Sequence, residues 1–118
     1  MKTFYVAASS ADLPRARAFM RDLEALGFTN ELDWTTSVEP LAPVSDWPRL
    51  AEVDLDAAVN ASIFVQVADK PSLGAMTELG ARLWNNSVCH VVVGDHLFHY
   101  HPLVVRHASW DAFLRAVE

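Results

Sequence analysis

The sequence predicts an α/β domain with a doubly wound parallel sheet of about four or five strands and helices on both faces. Three observations lead there. Nearly continuous apolar runs at residues 62–68 and 88–93 have the composition of strands covered on both sides, and residues 3–8 read as a short apolar strand. Between them lie segments whose apolar residues recur at helical spacing. Strand and helix thus alternate, which calls for right-handed crossovers and a Rossmann-like or flavodoxin-like layout with ligands at the carboxyl ends of the strands.

The elements follow in order. After the first strand, Ser10 or Asp12 caps a helix with Pro14 in its first turn. Ala16, Phe19, Met20, Leu23 and Leu26 give that helix its apolar face, and Gly27 supplies the stop. A second strand is expected over residues 28–34. Residues 38–47 carry Pro40 and Pro43 and read as an ordered loop. Asp46 and Pro48 open a second helix faced by Leu50, Val53, Ala57, Ala58 and Ala61. The strand at residues 62–68 leads through a turn into a helix over residues 74–86, stopped by Asn85 and Asn86. Beyond the strand at 88–93, residues 96–101 form a turn or short hairpin and 103–106 a brief strand. Ser109 then caps a last helix over 110–117.

With 118 residues and 52% apolar content, the chain suits one domain with one core. Its four Trp and six Phe supply enough apolar area that no metal or disulfide is needed to hold it. Cys89 is the lone cysteine and, inside an apolar run, reads as an inert core thiol. A formal net charge of −6 repels a long polyanion, so no nucleic acid polymer is expected as partner. One phosphate held on helix amides stays compatible with that charge. The N-terminal residues do not read as a signal peptide, and no apolar run approaches the roughly 20 residues that span a bilayer. No membrane partner is expected, and a cytoplasmic location is the default.

The most informative stretch runs from Pro71 to Ala81, where a buried strand gives way to a helix. Gly74 admits close approach of a ligand, free amides of the first turn attract anions, and Glu78 stands one turn in. The plain alternative pairs Glu78 with Arg82 at i, i+4 on a solvated face. His96, His99, His101 and His107 cluster near Asp95, but their spacing follows no zinc pattern, and a subunit contact or pocket rim is the commoner use of such a segment. Trp34 and Trp47 have a nucleobase to stack on, or a core to fill.

The segments Asp54-Leu55-Asp56, Ala61-Ser62-Ile63-Phe64-Val65, Pro71-Ser72-Leu73-Gly74 and Glu78-Leu79-Gly80 together resemble the nucleoside 2-deoxyribosyltransferase superfamily. The Pro-Ser-Leu-Gly segment is most similar to its 2′-deoxynucleoside 5′-monophosphate N-glycosidase branch, and Trp34 with Thr35 to small phage and bacterial members. Ser72 stands where base-transferring members carry an aspartate. The loop after the first strand is Ser9-Ser10-Ala11-Asp12-Leu13-Pro14 where the monophosphate branch is glycine-rich. Ser9, Ser10, Ser72 and Arg15 or Arg17 would replace part of that cradle.

The resemblance implies cleavage of the N-glycosidic bond of a 2′-deoxynucleoside or its 5′-monophosphate, by hydrolysis or base transfer. Glu78 would be the nucleophile that holds the sugar covalently. Tyr5 would aim it, and Asp54 would orient the substrate or protonate the departing base, although a solvated helix residue is the alternative for Asp54. Ala8, Ser9, Ser10, Ser72, Gly74 and Trp34 would contact the substrate. No cofactor and no metal are implied. The partner would be a small nucleoside or nucleotide, and the chain is expected to form a homodimer or larger, with residues 38–47 or those after Gly94 closing a neighbour's pocket. Two rivals use the same pocket: a catalytically silent nucleotide-binding module, and a glycohydrolase of an NAD-type dinucleotide.

Overall fold

The computed structural model describes residues 2–37 and 42–118. Five strands form one sheet: β1 (Thr3–Ala7), β2 (Thr29–Asn30), β3 (Ile63–Val67), β4 (Cys89–Val92) and β5 (Val104–His107). Their order is β2-β1-β3-β4-β5, and every neighbouring pair is parallel. The expected α/β class and parallel sheet are therefore present. Four helices connect and cover the strands: α1 (Leu13–Ala25), α2 (Trp47–Asn60), α3 (Leu73–Trp84) and α4 (Trp110–Val117). Helices α2 and α3 pack against each other. Helices α1 and α4 meet through Phe19 and Trp110, whose rings lie 4.2 Å apart, and through a 2.9 Å hydrogen bond from Trp110 Nε1 to Asp22.

Burial follows strand position. In β1 and β3 all but the first residue are buried, while edge strand β5 keeps two residues exposed. Continuous apolar runs fit positions covered on both faces, so the runs locate the sheet's centre. Cys89 is fully buried, and burial pushes its thiol up to about 11.

Local chemistry sets the boundaries. The Asp12 side chain accepts from the Arg15 N–H at 3.1 Å and so caps α1, with Pro14 in the first turn. Gly27 adopts φ 96, and bonds from Gly27 to Glu24 and from Phe28 to Leu23 close the helix end. Ser72 caps α3 by accepting from Ala75 N–H at 3.1 Å, one residue earlier than the spacing suggests. Asn86 takes a left-handed conformation just past that helix.

The second strand is much shorter than expected. Only Thr29–Asn30 pair with β1, and Trp34–Thr36 form a 3₁₀ turn instead of strand. The cause is side-chain competition for the backbone: Asn30 Oδ1 accepts from Leu32 N–H at 3.2 Å, and Asp33 Oδ1 accepts from Thr35 N–H at 3.1 Å. These turns point the Trp34 indole inward, where Nε1 donates to the Val6 carbonyl at 2.7 Å.

A second 3₁₀ turn, Leu97–Tyr100, occupies the histidine segment. His99 is buried beneath it. Its Nδ1 accepts from the His96 N–H at 3.0 Å, so Nε2 carries the ring proton toward Gln66 Oε1 at 2.6 Å. Gly94 lies against this ring, and a Cβ there would sit 2.6 Å from His99 Nδ1. His90 and His107 bond to each other at 2.9 Å, and burial pushes His90 down to about 4. The histidines are thus divided among structural contacts. Among the described residues no group of three His, Cys, Asp or Glu is placed to hold a metal ion. Nor is any described helix long and apolar enough to cross a membrane.

Candidate active site

Strands β1 and β3 are neighbours, and the chain leaves them in opposite directions, toward β2 from one and β4 from the other. A doubly wound sheet opens a crevice at such a point. The segments that follow these two strands, with the 3₁₀ turn of Trp34 and helices α2 and α3, enclose a cavity of about 190 Å³ there. Its walls include Tyr5 on β1, Ala8 and Ser10 after it, Trp34, Asp54 on α2, and Ser72, Gly74 and Glu78 at the start of α3.

At its centre the Tyr5 hydroxyl donates to Glu78 Oε2 at 2.5 Å, across 73 residues of sequence. The Tyr5 ring is held parallel to Phe64, with centroids 6.1 Å apart, so the hydroxyl has a fixed direction. Burial, and then the Glu78 charge, push the Tyr5 hydroxyl far up, so it stays protonated and acts as donor. Glu78 is half-buried. Burial raises its carboxyl to about 7, the Tyr5 hydrogen bond opposes the rise, and the Asp54 charge adds to it. Burial also raises Asp54 above the usual carboxylate range.

The alternative pairing of Glu78 with Arg82 is not what the structure holds. Arg82 is 4% exposed and donates to the carbonyls of Ala58, Val59, Ala61, Ser62 and Val88. The first three lie at the end of α2, where helix carbonyls lack partners and carry partial negative charge. The guanidinium is therefore a structural rivet, and Glu78 is left to the cavity.

Of the residues singled out in the sequence, Tyr5, Ala8, Ser10, Trp34, Asp54, Ser72, Gly74 and Glu78 share this cavity. Ser9 does not line it. Its hydroxyl accepts from Ala11 N–H at 3.1 Å, and it borders a separate crevice with Asp12 and Arg15. Arg15 pairs with Asp69 at 3.0 Å, and Arg17 donates to Thr35 at 3.1 Å. Neither arginine lines the cavity. Ala75, which the sequence did not single out, forms part of the wall. Trp47 donates to the Ala42 carbonyl at 3.4 Å, away from the cavity. Of the loop expected to close a pocket, residues 38–41 lie outside the described residues, and Val44–Asp46 form a short 3₁₀ turn.

The chain thus carries a five-stranded parallel α/β fold with a carboxylate-bearing cavity at its switch point. Among solved structures, the CMP N-glycosidase BcmB of Clostridium botulinum is similar to it, with a TM-score of 0.62, 12% sequence identity, and coverage of 99% of this chain and 98% of that one. At that identity the likeness establishes the shared fold. No family model matches the chain, and no curated protein sequence matches it.

Proposed function

We propose that this protein cleaves the N-glycosidic bond of a 2′-deoxynucleoside or its 5′-monophosphate, with Glu78 as the nucleophile. The observation that carries this reading is the Tyr5–Glu78 hydrogen bond inside a cavity that also holds Asp54. A carboxylate fixed by a neutral donor, and kept from full solvation, suits attack on a carbon that gains positive charge in the transition state. The likeness to a CMP N-glycosidase over nearly the whole chain supports the same chemistry.

In the proposed reaction, a Glu78 oxygen attacks the anomeric carbon as the carbon–nitrogen bond breaks, and the base leaves with the bonding electrons. Asp54, protonated more readily than an ordinary carboxylic acid, supplies the proton that the base takes up. Water or a second base then displaces Glu78, and its proton returns to Asp54. Tyr5 holds the unreacting lone pairs of Glu78 throughout. Trp34 offers its ring to the base, and Ser10, Ser72 and the amides at the start of α3 face the 5′ side. Among the described residues no cationic side chain lines the cavity, so a 5′-phosphate would be bound there by hydroxyls and amides.

Chromatography of mixtures containing nucleosides or 5′-monophosphates, with and without an acceptor base, tests the reading. Release of free base that disappears in Glu78→Ala supports it, and exchange onto the acceptor identifies a transferase. Saturable binding with no base release would instead favour the silent binding module.

A further inference from the structure

In a parallel sheet of this kind, the loop after β1 and the first turn of α1 are where a phosphate would be drawn, onto amides with no other acceptor. In this chain those amides already have acceptors. Ser9 Oγ accepts from the Ala11 N–H at 3.1 Å, and the Ser9 carbonyl accepts from the Asp12 N–H at 3.5 Å. The Asp12 carboxylate accepts from the Arg15 N–H at 3.1 Å, and its carbonyl accepts from the Ala16 N–H at 3.2 Å. A carboxylate of the chain itself thus stands where the helix attracts an anion. Asp12 borders a crevice that shares Ala8 with the cavity.

The nearby cations are engaged as well. Arg15 pairs with Asp69, and Arg17 donates to both the hydroxyl and the carbonyl of Thr35. Residues 38–41 are Val38, Glu39, Pro40 and Leu41, with no Lys or Arg among them. The 5′ side keeps Ser10, Ser72 and the first amides of α3, and Ser72 Oγ already accepts from the Ala75 N–H. A sugar hydroxyl, which can donate as well as accept, is satisfied by so small a set. A phosphate dianion needs several donors and brings its charge to a cavity that already holds Glu78 and Asp54. Glu78 has to ionise to attack. A phosphate one sugar ring away, inside the ~8 Å that physiological salt leaves unscreened, presses it toward its neutral form.

We propose that the site selects the unphosphorylated nucleoside over its 5′-monophosphate, and that Asp12 is the residue that turns the phosphate away. This selection rests on the N-glycosidic reading of the same cavity. The net charge of −6 acts in the same direction on a ligand as it approaches.

Calorimetric titration of Glu78→Gln, which holds substrate without turnover, with each common 2′-deoxynucleoside and with its 5′-monophosphate tests the selection. The nucleoside should bind about tenfold or more tightly than its monophosphate. Base release by the wild-type chain from a mixture of the two should show the same preference in kcat/KM. Asp12→Asn keeps the helix cap, because Asn caps about as well as Asp, and removes the charge. In both assays it should narrow the preference roughly threefold or more, through the monophosphate. Glu24→Gln, near the other end of α1, removes a charge from the same helix and should leave the preference unchanged. Monophosphate bound as tightly as nucleoside overturns the selection. An unchanged preference in Asp12→Asn, or an equal narrowing in Glu24→Gln, overturns the role of Asp12. If base is released from neither substrate while the nucleoside still binds more tightly, the reaction is overturned and the selection stands. Binding of neither overturns both.

Discussion

The early and late turns of helix α3 treat a buried charge in opposite ways. Glu78 has one strong partner, the Tyr5 hydroxyl, and faces a cavity, so burial lifts its carboxyl to about 7. Arg82, one turn later, has five carbonyl partners and no cavity. A charge surrounded by fixed dipoles is spent on structure, whereas a charge left partly unsatisfied keeps free energy available for a reacting group. The same helix therefore holds a candidate nucleophile and the fastening that keeps it in place.

Separating the two ends by substitution gives the largest effects. Glu78→Gln should lower base release by about a thousandfold or more, with the far-UV spectrum unchanged and the melting temperature no lower, because a neutral amide replaces a carboxylate that burial disfavours. Arg82→Met should do the reverse. It strands carbonyls of Ala58 and Ala61 that Arg82 now satisfies and should cost about 3 kcal/mol or more of stability, read from denaturant unfolding. If Arg82→Met leaves stability intact while Glu78→Gln unfolds the protein, the contrast between the two ends is wrong.

Smaller effects sharpen it. On its acid limb the rate should rise with pH through about 7 as Glu78 ionises, and it should fall again where Asp54 loses the proton it has to supply. Tyr5→Phe removes the one contact that lowers the Glu78 carboxyl, so the acid limb should move to higher pH and the maximal rate should fall by about a hundredfold. A limb that moves to lower pH would contradict the assigned hydrogen bond. Stability should carry the opposite sign. Glu78 favours the folded state fully below its ordinary value of 4.5, and that contribution is lost as pH rises through about 7. Melts of wild type and Glu78→Gln across this window should converge at its acid end. His90, pushed down to about 4, contributes stability above 6.5 that both proteins lose as pH falls through 4.

Gly74→Ala should have the smallest effect. A Cβ there meets only Ser72 Oγ, at 3.9 Å, so the fold accepts it, and the helix gains about 0.5–1 kcal/mol. The added methyl narrows the cavity, so KM should rise severalfold with kcat little changed.

The sheet's centre was legible because β1, β3 and β4 are apolar on both faces, and α1 and α4 because Asp12, Pro14 and Ser109 mark their starts. Residues 28–34 misled because their alternation resembles a strand, while the side chains of Asn30 and Asp33 bond the nearby backbone and end it early. Gly74 and Glu78 stood out from the strand-to-helix stretch itself, but Tyr5 and Asp54 were legible as their companions only through resemblance. Nothing local links Tyr5 to Glu78, whose contact the parallel pairing of β1 with β3 creates. The alternative partner for Glu78, Arg82, was indistinguishable from sequence for the same reason. Spacing shows a cation four residues after a carboxylate, but the carbonyls it serves come from residues 58–62 and 88.

The position of β1 at the centre of the sheet governs how the chain acquires its structure. Phe4 pairs with Ile63, so the first strand waits for a partner 59 residues away, and no two neighbouring strands are joined by a tight hairpin. Loop closure has to precede most of the stabilising contacts, which places folding in the slow, non-local regime. Until β3 arrives, β1 has only the two residues of β2 to pair with and Val6 and Ala7 have no neighbouring strand, and during that interval the chain is most exposed to aggregation.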